Sequence, residues 1–174
     1  MKKRLKVGVL FDFPAPIPAD ADFAAHLDAA DWHPIQAVLD ALTELGHESF
    51  LLPIHDSVLP LVQALPAQQP DVVFNLADAF RNDRQHEADL AGLLALCGVP
   101  YTGCPAQALT LCRIKSFAKR ILVPLGIQLP QALVFPLGQL NRPLGSLRCP
   151  VIVKPLSEEG SEGITPKSFC TNEE

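Results

Sequence analysis

The chain has 174 residues, 48% of them hydrophobic, and a formal net charge of -5 at pH 7. It is large and apolar enough to bury a sizeable core, and its acidic balance without a basic stripe argues against a nucleic-acid-binding domain. No apolar run approaches the ~18 residues of a membrane span, and the first one ends at Asp12, too early for an export signal. We therefore expect a soluble, cytoplasmic protein that binds neither nucleic acid nor membrane.

Residues 1–98 alternate strictly between strand and helix patterns. Continuous apolar runs predict strands at 7–11, 47–54 and 71–76, and apolar residues at helical spacing predict helices at 33–46, 56–66 and 84–98. Pro34 suits the first turn of the first helix, Asp56 is the expected N-cap of the second, and Gly46 and Gly98 are expected to end the first and third. This alternation is typical of a doubly wound, Rossmann-like parallel sheet.

The pattern changes after residue 103. Residues 104–126 predict one or two helices, and strands are expected at 131–135 and 149–155, with a short strand at most in the last residues. We place a domain boundary there, giving an α/β domain at 1–103 and an α+β remainder at 104–174. At about 70 residues, the remainder is near the size at which a single core is barely sufficient.

Five cysteines are spread over the chain without a C-x-x-C pair, so neither a disulfide framework nor a zinc site is indicated. We expect them to be reduced and buried as small apolar side chains. They are Cys97, Cys104, Cys112, Cys149 and Cys170.

Lys154 stands in the apolar segment VIVKP and is followed by the loop SEEGSEG. One interpretation is a lysine whose stem packs while its ammonium reaches water. The other is an anion site, because Gly160 and Gly163 allow backbone N–H groups to converge and Ser161 adds a hydroxyl. An ordinary polar loop explains the loop segment equally well.

Lys115 lies in the basic segment CRIKSFAKRIL. Lys115 and Lys119 share one face of a helix, and Arg113 and Arg120 add positive charge nearby. The segment is either a solvated basic face or a helix that presents Lys115 to a phosphate.

Three stretches taken together in order, DVVFNL…HEADLAGLLALCGVPYTG, ALTLCRIKSFAKRILVPLGI and CPVIVKPLSEEGSEGI, resemble the ATP-grasp carboxylate-amine ligases of the D-alanine-D-alanine ligase family. The resemblance covers residues 70–168 well and residues 5–55 in general layout. It implies a pre-ATP-grasp domain at 1–103 and the beginning of the ATP-clamping ATP-grasp subdomain at 104–174.

The resemblance also implies site residues and chemistry. Lys115 and Lys154 are similar to two phosphate-contacting lysines, and residues 158–163 to a flexible loop that closes over the triphosphate of ATP. The residues assigned to ATP phosphates are Lys115, Lys154, Glu159, Gly160, Ser161 and Gly163. In this family ATP, with Mg²⁺, phosphorylates a carboxylate and an amine attacks the acyl phosphate, so water must be excluded.

The chain departs from the family after its first strand. D-alanine ligases usually carry Gly-Gly-x-Ser-x-Glu there, whereas this chain has DFPAPIPADADFAAHLDAADWHP, so the amino acid or carboxylate substrate stays open. Asp12, Asp20, Asp22, Asp28 and Asp31 either bind an amine or solvate a loop. Glu87 and the polar run before it follow the third strand, where ligands bind in parallel sheets, and His86 is either a base or a surface residue at a helix start. Asp12 and Glu87 are therefore the substrate-site candidates.

The residue before Lys115 is Ile114, where the family commonly has aspartate. The family's magnesium ligands and adenine-binding hinge lie beyond its phosphate loop, so we expect this chain to be the N-terminal part of a ligase and inactive alone. The resemblance suggests a homodimer through the first domain. The alternative is a non-catalytic α/β module that binds a small ligand or a protein partner.

Overall fold

The computed structural model describes residues 3–17, 23, 32–138, 143 and 145–171. The chain divides into two compact units, residues 1–107 and 108–174. Within the described residues there are five α-helices and five strands, three of which form a parallel sheet in the first unit. The expected α/β class is confirmed.

The sheet of the first unit has the strand order β2-β1-β3. Its strands are β1 Lys6–Asp12, β2 Glu48–Ile54 and β3 Val72–Asn75. The central strand β1 pairs with both neighbours in parallel, so that Val9 faces Leu51 on one side and Phe74 on the other. All three strands expected in this half of the chain are confirmed, and their carboxyl ends meet at one edge of the sheet.

Three helices follow the three strands. They are α1 His33–Glu44, α2 Leu59–Gln68 and α3 Glu87–Leu96, the last preceded by a 3₁₀ turn at Arg84–His86. Pro34 lies in the first turn of α1, as expected, because a proline there costs no intrahelical hydrogen bond. Gly46 and Gly98 adopt φ values of 77° and 69° just after α1 and α3, where a left-handed residue ends a helix.

Both faces of the sheet are covered. Leu10 of β1 belongs to a buried cluster with side chains of α2 and α3, and Val9 and Phe11 belong to a second cluster with side chains of α1. Alternate residues of a strand point to opposite faces, so one central strand supplies both clusters. This is why β1 reads as a continuous apolar run.

The second unit has little regular structure in its described part. Helix α4 Ala106–Arg113 begins just before it, and α5 Lys115–Leu122, β4 Val151–Ile152 and β5 Phe169–Cys170 follow. The two short strands are antiparallel, with Ile152 opposite Phe169. Among the described residues of this unit, Arg113 alone is buried.

Two strand predictions in this unit are wrong in whole or in part. Residues 131–135 form no strand, because prolines at 130 and 136 bound the segment and no neighbouring strand pairs with it in the described structure. The strand expected at 149–155 is reduced to β4, since Pro150 and Pro155 cannot donate to a ladder. Lys154 consequently lies after the strand and is exposed rather than on a buried strand.

The prediction for the start of α2 is also corrected. Asp56 is not the N-cap of α2: the helix begins at Leu59 after Val58, with a proline in its first turn fixing the start, and the Ser57 hydroxyl accepts a hydrogen bond from the Leu59 amide.

The cysteines are free thiols but not buried, because they lie near helix ends, in loops and, for Cys170, in a two-residue strand. Cys97, Cys104 and Cys112 are exposed, and Cys149 and Cys170 are half-buried. No helix in the described part of the chain is both long and apolar enough to cross a membrane.

Candidate functional site

A small cavity in the second unit brings together residues that are far apart in the sequence. Its volume is about 280 Å³. Of the six residues assigned to ATP phosphates, five line it: Lys115, Lys154, Glu159, Gly160 and Ser161. The sixth, Gly163, follows in the same loop.

Lys115 is held in place at both ends of the residue. Ile114 has an extended backbone between α4 and α5, so Lys115 is the first residue of α5. Its amide donates to the Leu156 carbonyl over 3.2 Å, and its ammonium Nζ donates to the Glu158 carbonyl. These two bonds fasten the beginning of α5 to the segment that leads into the loop. Lys119, on the same face of α5, donates instead to the carbonyl of Pro130.

The loop at 158–163 contains left-handed backbone at successive residues. The φ values are 58° at Gly160, 66° at Ser161 and 71° at Gly163. The Glu162 amide donates to the Glu159 carbonyl over 2.9 Å, and the Ile164 amide donates to the Ser161 carbonyl over 3.0 Å. Two consecutive left-handed residues closed by the bond from the Glu162 amide to the Glu159 carbonyl are the geometry of a tight type I′ turn, so the loop consists of two turns in succession.

Gly163 is required for a second reason. A Cβ atom at this position would lie 2.6 Å from Cγ of Pro155, closer than real side chains approach. The loop therefore returns directly over the proline that follows Lys154. The close approach of Gly163 to Pro155 therefore places the loop beside the residue that follows Lys154.

Arg113 makes a contact with the loop that the sequence did not predict. Its guanidinium Nη2 lies 3.5 Å from Oε2 of Glu159, with side-chain exposures of 10% and 37%. The sequence showed Arg113 as part of a basic segment, but no local spacing pairs it with a glutamate in a distant loop. The only sequence signal was a basic residue in the last turn of a helix.

Asp12, a substrate-site candidate, ends β1 at the carboxyl edge of the sheet in the first unit. Its Oδ1 accepts a hydrogen bond from the Asp78 amide over 3.1 Å. Burial raises the pKa of the Asp12 carboxyl, and the Asp78 charge adds to that effect, while the hydrogen bond from the Asp78 amide opposes it. Asp78 itself pairs with Arg84, Nη2 to Oδ2 over 3.0 Å. This edge therefore carries charge of both signs.

Glu87, the other substrate-site candidate, is the half-buried first residue of α3. A carboxylate there is favoured by the positive end of the helix dipole, which explains its presence without a ligand. His86 beside it places Nδ1 at 2.8 Å from Oδ2 of Asp89 at the exposed start of the same helix. That pairing fits the interpretation of His86 as a surface residue. Asp20, Asp22, Asp28 and Asp31 lie outside the described residues.

A larger cavity, of about 820 Å³, opens in the first unit beside α3. Its walls are mostly apolar, with Phe80, Leu93 and Tyr101 among them. The smaller cavity is nevertheless the better candidate site, because two lysines and the loop at 158–163 line it together. In the part of the chain that the structure describes, no group of three or more histidine, cysteine or acidic residues could hold a metal ion.

The comparisons with known proteins agree with the motifs. The chain is 28% identical over 129 residues to a D-alanine-D-alanine ligase of Gluconobacter oxydans, covering 74% of this chain and 41% of that protein. Similar enzymes of Paramagnetospirillum magneticum and Aquifex aeolicus are 33% and 34% identical over 128 and 131 residues, again covering 74% of this chain and 41% and 42% of theirs. No protein-family model matches.

The fold and the similarity together define an α/β chain related to ligases. The resemblance to the D-alanine-D-alanine ligase family, for an N-terminal part only, is confirmed by these relatives. The chain spans about two-fifths of the length of the curated relatives it matches.

Proposed function

We propose that this chain supplies the N-terminal part of an ATP-dependent carboxylate-amine ligase. In this proposal residues 1–103 form the pre-ATP-grasp domain, and residues 104–174 form the beginning of the ATP-grasp subdomain. The similarity to enzymes named D-alanine-D-alanine ligase supports the class of reaction. Because the match covers about two-fifths of those enzymes, turnover is proposed for these residues only together with the rest of such a ligase.

The observation that carries the proposal is the cavity shared by Lys115, Lys154 and the loop at 158–163. Two ammonium groups suit the charge of a triphosphate, and each acts as a compact point charge. Ser161, which lines the same cavity, adds a hydroxyl donor for phosphate oxygens. The residues present therefore fit the phosphates of ATP.

The protein's part in the chemistry is positioning and exclusion of water. In ligases of this kind the phosphoryl group activates a carboxylate, which an amine then attacks. Lys115 and Lys154 would offset the charge on the phosphates, and the loop at 158–163 would cover them so that the activated carboxylate is not hydrolysed. Mg²⁺ accompanies ATP in this proposal, and we assign no metal ligand to this chain.

The substrate side of the proposal rests on Asp12 and Glu87. Asp12 is the last residue of β1, and Glu87 begins the helix that follows β3. In parallel sheets small ligands bind beyond the carboxyl ends of the strands, where such helices begin. An amino acid or another small carboxylate is the proposed substrate. A homodimer through the first domain remains part of the proposal.

ATP binding to the 174-residue chain tests the proposal. Calorimetric titration with ATP in the presence of Mg²⁺ should give a measurable affinity, and Lys154→Ala should weaken it by about tenfold, the equivalent of one charge-assisted hydrogen bond. Lys167→Ala is the matched control, because Lys167 lies in the same unit but outside the cavity lining.

Equal affinities in the three proteins would contradict the assignment of the site. A folded chain that is indifferent to ATP would favour the alternative, a non-catalytic α/β module.

A further inference from the structure

Arg113 is a buried charge whose position in the second unit needs an explanation. It is 8% exposed, and among the described residues of this unit it is the one buried residue. A guanidinium loses much of its hydration when buried, so burial is tolerated only where acceptors compensate. Glu159, with its Oε2 at 3.5 Å, supplies a negative charge.

The ion pair acts where the loop begins. Glu159 opens the first turn of the loop, since its carbonyl accepts from the Glu162 amide. One residue earlier, the Glu158 carbonyl accepts from the Lys115 ammonium. Arg113 and Lys115, on either side of Ile114, therefore hold two consecutive residues of the loop, one through its side chain and one through its backbone.

The charges around the cavity also call for Arg113. Three glutamates are among its lining residues, Glu158, Glu159 and Glu162, against two lysines, Lys115 and Lys154. A net negative cavity would repel an anion. Arg113 does not line the cavity, but its contact with Glu159 offsets the third carboxylate.

We propose that Arg113 is a positioning residue of the phosphate site: its ion pair with Glu159 fixes the start of the loop at 158–163 and neutralises a carboxylate that would otherwise oppose phosphate binding. The electrostatic half of this inference, the neutralisation of Glu159, rests on the proposed ATP site. The loop half, the fixing of the start of the loop, does not depend on that site. Arg113 directly precedes Ile114, the position at which the ligases that this chain resembles commonly have an aspartate.

Hydrogen exchange without nucleotide tests the loop half. Arg113→Gln should raise the exchange rates of amides in 158–164 by about tenfold, and Arg113→Lys should retain most of the protection because the charge remains. Arg120→Gln, a change of the same type on an exposed residue of α5, is the matched control and should leave the loop unchanged.

Glu159→Gln removes the same ion pair by changing its more exposed partner. This variant replaces Arg113→Gln in the test if Arg113→Gln does not fold. It should also raise exchange in the loop. Loop exchange equal to that of the wild type in Glu159→Gln, or in a folded Arg113→Gln, would overturn the proposal.

ATP affinity tests the electrostatic half. Arg113→Gln should weaken ATP binding by about tenfold, and adding Glu159→Gln should recover part of the loss, since the uncompensated carboxylate is gone. Loop exchange should not recover in the double variant. A purely structural role predicts no recovery of affinity, and that result would overturn the electrostatic half.

The two proposals fail in different ways. A wild-type chain that does not bind ATP contradicts the proposed function and the electrostatic half, while the exchange measurements still decide whether Arg113 and Glu159 hold the loop. A chain that binds ATP with equal affinity before and after Arg113→Gln contradicts the electrostatic half alone and leaves the proposed function standing.

Discussion

The first unit buries apolar side chains on both faces of its sheet, whereas the described part of the second unit buries one residue, and that residue is charged. Leu10, Phe11 and Val73 are within 1% of complete burial. In the second unit Leu137, Val153 and Phe169 are more than half exposed. Burial of its apolar area makes each such side chain contribute about 1.5–3 kcal/mol to stability. A single hydrogen bond contributes about 0.5–1.5 kcal/mol and a surface ion pair about 1 kcal/mol or less.

The comparison explains where the candidate site lies. A loop that closes over a ligand must open at low cost, and such segments come from the least stable parts of a protein. The loop at 158–163 is held by two turns, one ion pair and the bonds of Lys115, and not by a core. The first unit has two buried apolar clusters, whereas the described part of the second has none.

The largest expected effect comes from removing a core side chain of the first unit. Leu10→Ala should lower the free energy of unfolding by about 2–5 kcal/mol, because Leu10 is fully buried and its loss leaves a cavity. During urea unfolding the fluorescence of Trp32, the one tryptophan, reports on this unit, and far-ultraviolet circular dichroism reports on both units. Leu137→Ala makes the same chemical change at an exposed residue and should move the transition by less than about 0.5 kcal/mol. Similar shifts for both variants would refute the contrast between the units.

A smaller effect is expected from a glycine in the loop. Gly163→Ala combines a left-handed φ of 71° with a clash against Pro155, whereas Gly138→Ala has a φ of 81° and open space around the new Cβ. Gly138→Ala, the control, should lower local stability by roughly 1–2 kcal/mol because of the left-handed backbone alone, and Gly163→Ala should lower it further. Hydrogen exchange of each segment measures both, and equal costs would mean that the approach to Pro155 does not constrain the loop.

The smallest effects concern two aspartates at opposite ends of the sheet in the first unit. Hydrogen bonds from the Lys6 amide and the Lys3 ammonium lower the pKa of Asp71, and burial raises that of Asp12. Asp71 therefore stabilises the fold above the usual aspartate pKa, and this contribution is lost as pH falls through its lowered value. Asp12 favours the folded state more as pH falls through its raised value, because the fold then binds the proton more tightly.

At pH 7, Asp71→Asn should thus destabilise the first unit slightly and Asp12→Asn should stabilise it slightly. The Oδ1 of an asparagine can still accept from the Asp78 amide. Both differences from the wild type should shrink in urea titrations repeated at pH 3. Effects of the same sign at pH 7 would contradict the assigned environments.

The sequence was most informative where residues are buried. The runs that form β1, β2 and β3 are apolar because both faces of the sheet are covered, so the strands and their order along the chain follow from periodicity. In the second unit the same reasoning failed: apolar residues at 131–135 form no strand and remain partly exposed, because an apolar run specifies a strand only if a partner pairs with it.

One part of the candidate site was likewise predicted from the sequence, and another part was not. Lys115, Lys154 and the loop were identified from ordered motifs, and they line one cavity. The pairing of Arg113 with Glu159 joins residues far apart in the sequence, and only the fold brings them into contact. The pKa of Asp12 likewise depends on contacts made by the fold, because burial raises it and Asp78, in the loop after β3, adds a charge and an amide hydrogen bond.

The most direct test of the central claim is hydrogen exchange of the 174-residue chain with and without ATP and Mg²⁺, followed peptide by peptide. The account predicts that nucleotide slows exchange in segments 113–119 and 151–164, while the strands at Lys6–Asp12 and Glu48–Ile54 exchange slowly in both conditions. Unchanged exchange in 151–164 at saturating nucleotide, or protection confined to the first unit, would contradict the assignment of the phosphate site.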